Sequence, residues 1–474
     1  MEKGTMDRDL ADSVVKKAQE LGASYAEVRL ESFDASAFLL KNDTPEISDF
    51  QKSNGLGARF LVNGAMGFMS INDLKKALVM KRVEETIRTI RASARMLKSP
   101  LKFASEPPAK HEWVVRQKEK LQDVDPKDKM EYLFDVRKAI REVDGTQSFL
   151  QLFETMSRKY YTNSEGSMLF SETPRIGLFY LLTVSAGGDS EQRMLEHGAS
   201  GGWESVKKWN TIHNVGQEVR ALKAVLEKGK AAPKGDVKLV LSPELVGILV
   251  HECCGHPTEA DRIMGREAAQ AGESFLDRGW LGKRIGNEAV TVVEDPTVEG
   301  SYGFYHYDDE GVKARRRFLI KDGKVNDFLH NRQTAAMMGI RSNGAARAVN
   351  YSFEPIVRMA NTFMLPGKHS FEELMEGVKK GVYMKSFTEW NIDDRRWNQR
   401  YVGCESYLIE NGEIKAPVRR PVFEITTPGF YERVEACGKD IQFVAGECGK
   451  GEPMQGIPVW MGGPHIRLKD VRLG

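Results

Sequence analysis

The chain of 474 residues carries 69 Lys plus Arg against 67 Asp plus Glu, a formal net charge of +2, with 41% hydrophobic and 29% charged residues. This is globular composition, which excludes wholesale disorder, and the near-neutral balance excludes the strong basic excess of a dedicated nucleic-acid binder. Five cysteines, an odd count, cannot form a disulfide scaffold in a chain of this length; they fit a reduced cytoplasmic protein whose thiols act as ligands or catalysts.

No apolar run approaches the ~18 residues of a membrane span, and the charged opening MEKGTMDRDLADSVV lacks the apolar core of a signal peptide. Residues 7–21 read as an amphipathic helix, with Leu10, Val14, Val15, Ala18 and Leu21 on one face and Gly22 after it. A β-rich stretch follows over residues 26–72, with hairpin signals such as Asn63-Gly64. Residues 73–96 read as a basic amphipathic helix, and residues 99–125, punctuated by Pro100, Pro107 and Pro108, as a connector. Asp125-Pro126 opens a helix to about residue 143. Strands are expected over 148–154, 157–163, 167–171 and 175–185, and a helix over 215–227. HGASGG, residues 197–202, reads as flexible and lacks the Lys-Ser/Thr end of a phosphate loop.

KGKAAPKG, residues 228–235, is a polar linker holding both Pro and Gly. A strand over 236–241, a helix start at Ser242-Pro243-Glu244 and an apolar run over 245–250 come next. From residue 290 the texture is short strands and turns, with Asn411-Gly412 a hairpin signal and the basic run Arg315–Arg317 a solvated face. The expected fold is α+β: an N-terminal α+β domain over residues 1–235, and a β-rich C-terminal domain over 236–474 carrying a His-Glu-x-x-x-His helix.

The chemically loaded segment is HECCGH, residues 251–256. The familiar zinc-protease spacing sets two histidines four apart, about 40° around a helix; here they are five apart, about 140° around. Gly255 before His256 and Pro257 after it supply a remedy. The residue before proline is pushed out of helical dihedrals, so the helix should end or bulge at Gly255, and a π-bulge would have the same effect. Glu252, beside the first histidine, could take a proton from a metal-activated water. Third-ligand candidates nearby are Cys253, Cys254, Glu259 and Asp261. The distant ones are Cys404, read as lying on a strand, Cys437 and Cys448, whose setting GECGKG reads as a glycine-rich loop. Cys253 and Cys254 also read as small buried apolar residues.

These residues resemble the TldD/PmbA metalloprotease family, specifically its TldD branch with the zinc motif. The resemblance runs through HECCGH, Glu259 and Asp261, YDDEGV (307–312), RMANTFMLPG (358–367) and GECGKG around Cys448, and covers nearly all of residues 236–474. It implies a zinc-dependent peptidase acting on unfolded or extended peptides, with His251, His256 and Cys448 as zinc ligands and Glu252 as acid/base. It also implies a dimer, with itself or with a TldE/PmbA-like subunit; the near-neutral charge and the lack of an apolar span, for their part, point to no nucleic acid and no membrane as partner. Asp308, Asp309, Arg358 and Asn361, together with Glu259 and Asp261, are candidates for supporting the ligands or binding substrate. The alternative is a non-catalytic peptide-binding or assembly subunit with a structural zinc, which four protein ligands would signal.

Overall fold

A computed structural model describes residues 6–267 and 273–474; residues 1–5, part of the segment read for a leader, lie outside the described residues. The fold is α+β. In the N-terminal part, strands Ala65–Ile71, Thr44–Val62, Tyr25–Lys41, Thr146–Asn163 and Met168–Ala186 lie side by side in that order, each antiparallel to the next. Met168–Ala186 has two further partners: Lys110–Val114 runs parallel to its first residues, and Asp189–Ser200 antiparallel to the rest.

Alternation along the strands assigns their two faces. Even-numbered Val28, Leu30, Phe38 and Leu40 of Tyr25–Lys41 enter the apolar cores under the helices. Helices Arg8–Glu20 and Lys76–Ser93 cover one core with Leu10, Val14, Val79 and Val83. Pro126–Ile140 and Thr211–Lys228 cover the other with Leu133, Val136, Val219 and Leu222. The odd positions Glu27, Arg29 and Glu31 are buried all the same, because the C-terminal part lies against that face. Arg59, on the neighbouring strand, pairs with Glu27 at 2.7 Å and reaches across to Glu310 at 2.6 Å.

Three expectations are corrected here. The four strands foreseen between residues 148 and 185 are two continuous strands of 18 and 19 residues; the ladder between them runs unbroken through residues 155–156 and 172–174, where gaps were expected. The proposed connector contains the strand Lys110–Val114. Residues 197–200 of HGASGG are the end of the strand Asp189–Ser200 rather than flexible chain.

In the C-terminal part a strand over Gly235–Leu241 lies inside a ten-stranded sheet, parallel to Lys380–Met384 and antiparallel to Ile466–Leu473. Ser242 caps the next helix, Pro243–Val250, by accepting the Leu245 N–H at 3.3 Å. That helix is apolar nearly all round and buried nearly all round. It packs on the strands Asn361–Met364 and Gln455–Gly463 of a six-stranded sheet whose edge is Gln442–Lys450. The Asn411-Gly412 hairpin forms as expected, with both residues at positive φ. Arg317 departs from the solvated reading of its basic run: it is buried and ion-paired with Glu294. Among the described residues no helix is long and apolar enough to cross a membrane.

Candidate metal centre

The helix Pro243–Val250 runs on into a π turn over His251–Gly255 and a 3₁₀ turn over His256–Thr258. The His256 N–H bonds the His251 carbonyl, an i to i+5 bond that widens the turn by one residue. Residues five apart therefore face the same way, and the two imidazole rings lie 4.9 Å apart between centroids. His256 does not leave helical dihedrals ahead of Pro257, as the proline rule suggested: it stays at φ −60° and ψ −46°. The irregularity is placed upstream, in the π turn.

Gly255 is required by a close approach. A Cβ there would stand 1.8 Å from the Sδ of buried Met359. Gly255→Ala is expected to cost about 1–3 kcal/mol through overpacking, read as a lower denaturation midpoint. An unchanged midpoint would mean that Met359 simply moves aside.

Cys448 meets the histidines from the strand Gln442–Lys450, where it stands opposite Ile457. Its surroundings are thus a strand edge, not the glycine-rich loop expected. Its Sγ lies 3.6 Å from His256 Nε2, and one ligand atom from each of His251, His256 and Cys448 falls within 4.8 Å of the others. All three residues are buried. Burial opposes the Cys448 thiolate, but the His256 ring and the Arg358 guanidinium outweigh it and bring the thiol down to about 7. Arg358 does this from full burial, donating to the carbonyls of Gln455, at 2.8 Å, and of Cys448. It fixes the backbone that carries the cysteine instead of lining an open cleft.

Glu259 and Asp261 hold this group from behind. Glu259 Oε2 lies 3.0 Å from His256 Nδ1, 2.8 Å from Arg262 Nε and 3.3 Å from Lys450 Nζ. Burial works against its charge, yet Lys450 and His256 hold its carboxyl well below the usual range. An ionised carboxylate only accepts, so His256 Nδ1–H donates to it, and Nε2 is the ring nitrogen on the Cys448 side. Asp261 accepts from Lys450 Nζ at 2.7 and 2.9 Å.

Glu252 is buried beside the group with Arg396 at 3.7 Å, and its Oε2 has no hydrogen-bond partner among the described residues. Burial disfavours its charge, but the two histidine rings and Arg396 outweigh it and keep the carboxyl below its ordinary value.

The other candidates lie elsewhere. Asp308 accepts the N–H groups of Glu310, Val312 and Ala346. Asp309 pairs with Lys159 and accepts from Ala348 N. Asn361 donates to the Asp295 carbonyl and to Ser301. None of the three hydrogen-bonds His251, Glu252, His256 or Cys448. Cys253 and Cys254 are buried in the apolar core; Cys253 donates to Tyr431 at 3.1 Å, and burial pushes its thiol up to about 12. Cys404 lies just past the strand Asn398–Gly403 instead of on it, and its thiol faces the Gln192 carbonyl; Cys437 faces that of Ala289.

Sequence reasoning missed two residues. Arg396 gave no signal, since 144 residues of chain separate it from Glu252. Lys450 was findable: strand alternation sets it on the same side as Cys448, two residues earlier.

Three profiles of PmbA/TldA metallopeptidase domains match the chain: domain 1 over residues 26–94, the central domain over 119–225 and the C-terminal domain over 234–474. A metalloprotease from Methanothermobacter thermautotrophicus is 30% identical over 99% of each chain. A zinc metalloprotease TldD homolog from Saccharolobus solfataricus is 28% identical over 97% of this chain and 98% of that one. The crystal structure of TldE from Thermococcus kodakarensis superposes with a TM-score of 0.77 at 15% identity, over 98% of this chain and 100% of that one, a likeness of fold. With these three domains matched in order around a buried His-His-Cys group, the chain belongs to the PmbA/TldD metallopeptidase family.

Proposed function

We propose that the protein is a zinc-dependent peptidase that hydrolyses unfolded or extended peptides. The observation that carries this reading is the convergence of His251, His256 and Cys448, from two distant parts of the chain, beside the buried Glu252 Oε2, which has no hydrogen bond among the described residues. The donor set fits zinc. With Zn–S near 2.3 Å and Zn–N near 2.1 Å, a tetrahedral site separates sulfur from nitrogen by roughly 3.5 Å, against the 3.6 Å between Cys448 Sγ and His256 Nε2. His251 Nδ1 is moreover buried without a hydrogen-bond partner among the described residues. When bound there, zinc supplies Lewis acidity to a peptide carbonyl and to water. Glu259 and Lys450 hold His256 in its ligating tautomer, Arg358 holds the Cys448 backbone, and Glu252 accepts a proton from the attacking water and passes it to the departing nitrogen.

Catalysis is favoured over a structural zinc because the two candidates for a fourth ligand are turned away, Glu259 to His256 Nδ1 and Cys254 into the core. Catalytic zinc sites keep such a position open. Sheet edges such as Gln442–Lys450 would hold an extended peptide by its backbone, with little side-chain preference. The likeness to TldE supports a paired assembly, with itself or with a TldE-like subunit, and the short connection between the helix ending at Lys228 and the strand beginning at Gly235, itself holding the two-residue strand Lys230–Ala231, would divide a supporting domain from a catalytic one.

The purified chain is expected to hold about one zinc per polypeptide and to cleave an unfolded peptide such as reduced, carboxymethylated casein. A chelator should stop the cleavage and zinc restore it. Cleavage that survives complete removal of metal would overturn the proposal.

A further inference from the structure

A polar cavity of about 90 Å³ lies on the seam between the N-terminal sheet and the C-terminal part, and none of His251, Glu252, His256 and Cys448 lines it. Lys159 and Arg175 come from two neighbouring strands of the sheet; Tyr305, Tyr307, Asp309 and Arg347 come from the other side. Its volume is that of about three waters of liquid (~30 Å³ each), enough for one small oxyanion.

Half-buried Arg175 and buried Arg347 both lack the ion-pair partner that a desolvated guanidinium group normally has. Arg175 donates only to main-chain carbonyls, Nε to Tyr302 at 2.9 Å and Nη2 to Phe304 at 3.3 Å. Arg347, 6% exposed, likewise donates Nη1 to the carbonyls of Met359 at 2.7 Å and Pro458 at 2.9 Å, with Tyr305 under its guanidinium. Among the described residues neither forms an ion pair, and Arg175 Nη1, Arg347 Nη2 and the Tyr307 hydroxyl have no protein hydrogen bond. The carboxylates of the wall are already engaged: Asp309 by Lys159 and Ala348 N, Asp308 by three backbone N–H groups, and Glu31 by Arg29. Burial first and the neighbouring Arg347 second bring the Arg175 guanidinium down to about 10, against a smaller opposing pull from Tyr302 and Asp309.

We propose that this cavity is a binding site for a small oxyanion of the carboxylate or phosphate type, held by Arg175 and Arg347 with the Tyr307 hydroxyl. An anion there would offset the charge of the two guanidinium groups and tie the sheet to the C-terminal part through charge-assisted hydrogen bonds.

The test uses the full chain at constant ionic strength, with chloride as the reference. Calorimetric titration with inorganic phosphate, and with short peptides carrying a free or an amidated C-terminus, reads binding without requiring hydrolysis, so its failure is separate from failure of the peptidase reading. Saturable binding that weakens at least tenfold in Arg175→Gln and in Tyr307→Phe supports the site. Tyr307→Phe removes only the hydroxyl, which guards against a variant that merely fails to fold. If phosphate binds and amidation is without effect, the ligand is a free anion; if only the free C-terminus binds, it is a peptide carboxylate. No saturable binding of either probe, or binding unchanged in both variants, overturns the proposal.

Discussion

Replacing Glu252 with Gln is expected to lower peptide hydrolysis by about 10²–10⁴-fold, the usual contribution of a positioned proton carrier, with zinc content unchanged. Glu252 is none of the three converging donors, so its loss leaves His251, His256 and Cys448 in place. Its own surroundings suit proton transfer: Oε2 makes no hydrogen bond among the described residues, and the histidine rings and Arg396 keep the group ionised despite burial. Glutamine preserves shape and hydrogen bonding but cannot take up the proton. Zinc content is measured by atomic absorption and hydrolysis by release of peptide termini, each on the same preparation. Wild-type hydrolysis in Glu252→Gln would remove Glu252 from the reaction. Loss of zinc together with activity would instead make it part of the support for the ligands.

The π turn explains why the site could be read from sequence only in part. Two histidines five apart point to different sides of a regular helix, and Gly255 with Pro257 announced that the helix would not stay regular. What the local sequence cannot encode is how the irregularity is resolved. That depends on Met359, more than 100 residues away, which fills the space a Cβ at 255 would need. The long strands Thr146–Asn163 and Met168–Ala186 teach the same lesson. They were expected as four shorter strands, and what carries them through residues 155–156 and 172–174 is their mutual pairing, Met156 opposite Pro174 and Thr155 opposite Arg175. Cys448 was picked out for its neighbouring glycines, yet it is delivered by a strand edge. Asp308 and Arg358 belong to segments that carried the family resemblance, and their bonds go to main-chain groups that shape the chain around the site. Motifs marked the residues; the hydrogen bonds separate those at the His-His-Cys group from those that build its frame.

Lys450→Met is expected to be the most destabilising single change near the centre, at about 3–5 kcal/mol, because it leaves buried carboxylates without their cation. The Lys450 ammonium is fully buried, 2.7 Å from Asp261, 3.3 Å from Glu259 and 3.5 Å from Glu267, and it also donates to the Val357 carbonyl at 2.8 Å. Burial and Glu259 already push the Asp261 carboxyl up against the pull of Lys450. Without the lysine, Glu259 loses the largest influence holding it ionised, and with it the firm acceptor that orients His256. Zinc affinity should then fall by roughly 10–100-fold, as for other lost supports of a ligand histidine. Denaturation of the metal-free protein isolates the first effect, and competition with a zinc-binding dye measures the second. Lys450→Met combined with Asp261→Asn should recover part of the stability, since the pair removes a carboxylate along with its cation. If stability and zinc affinity both stay at wild-type values in Lys450→Met, the lysine has no part in the centre. If the double variant recovers nothing, the loss comes from packing around the lysine stem and not from unpaired charge.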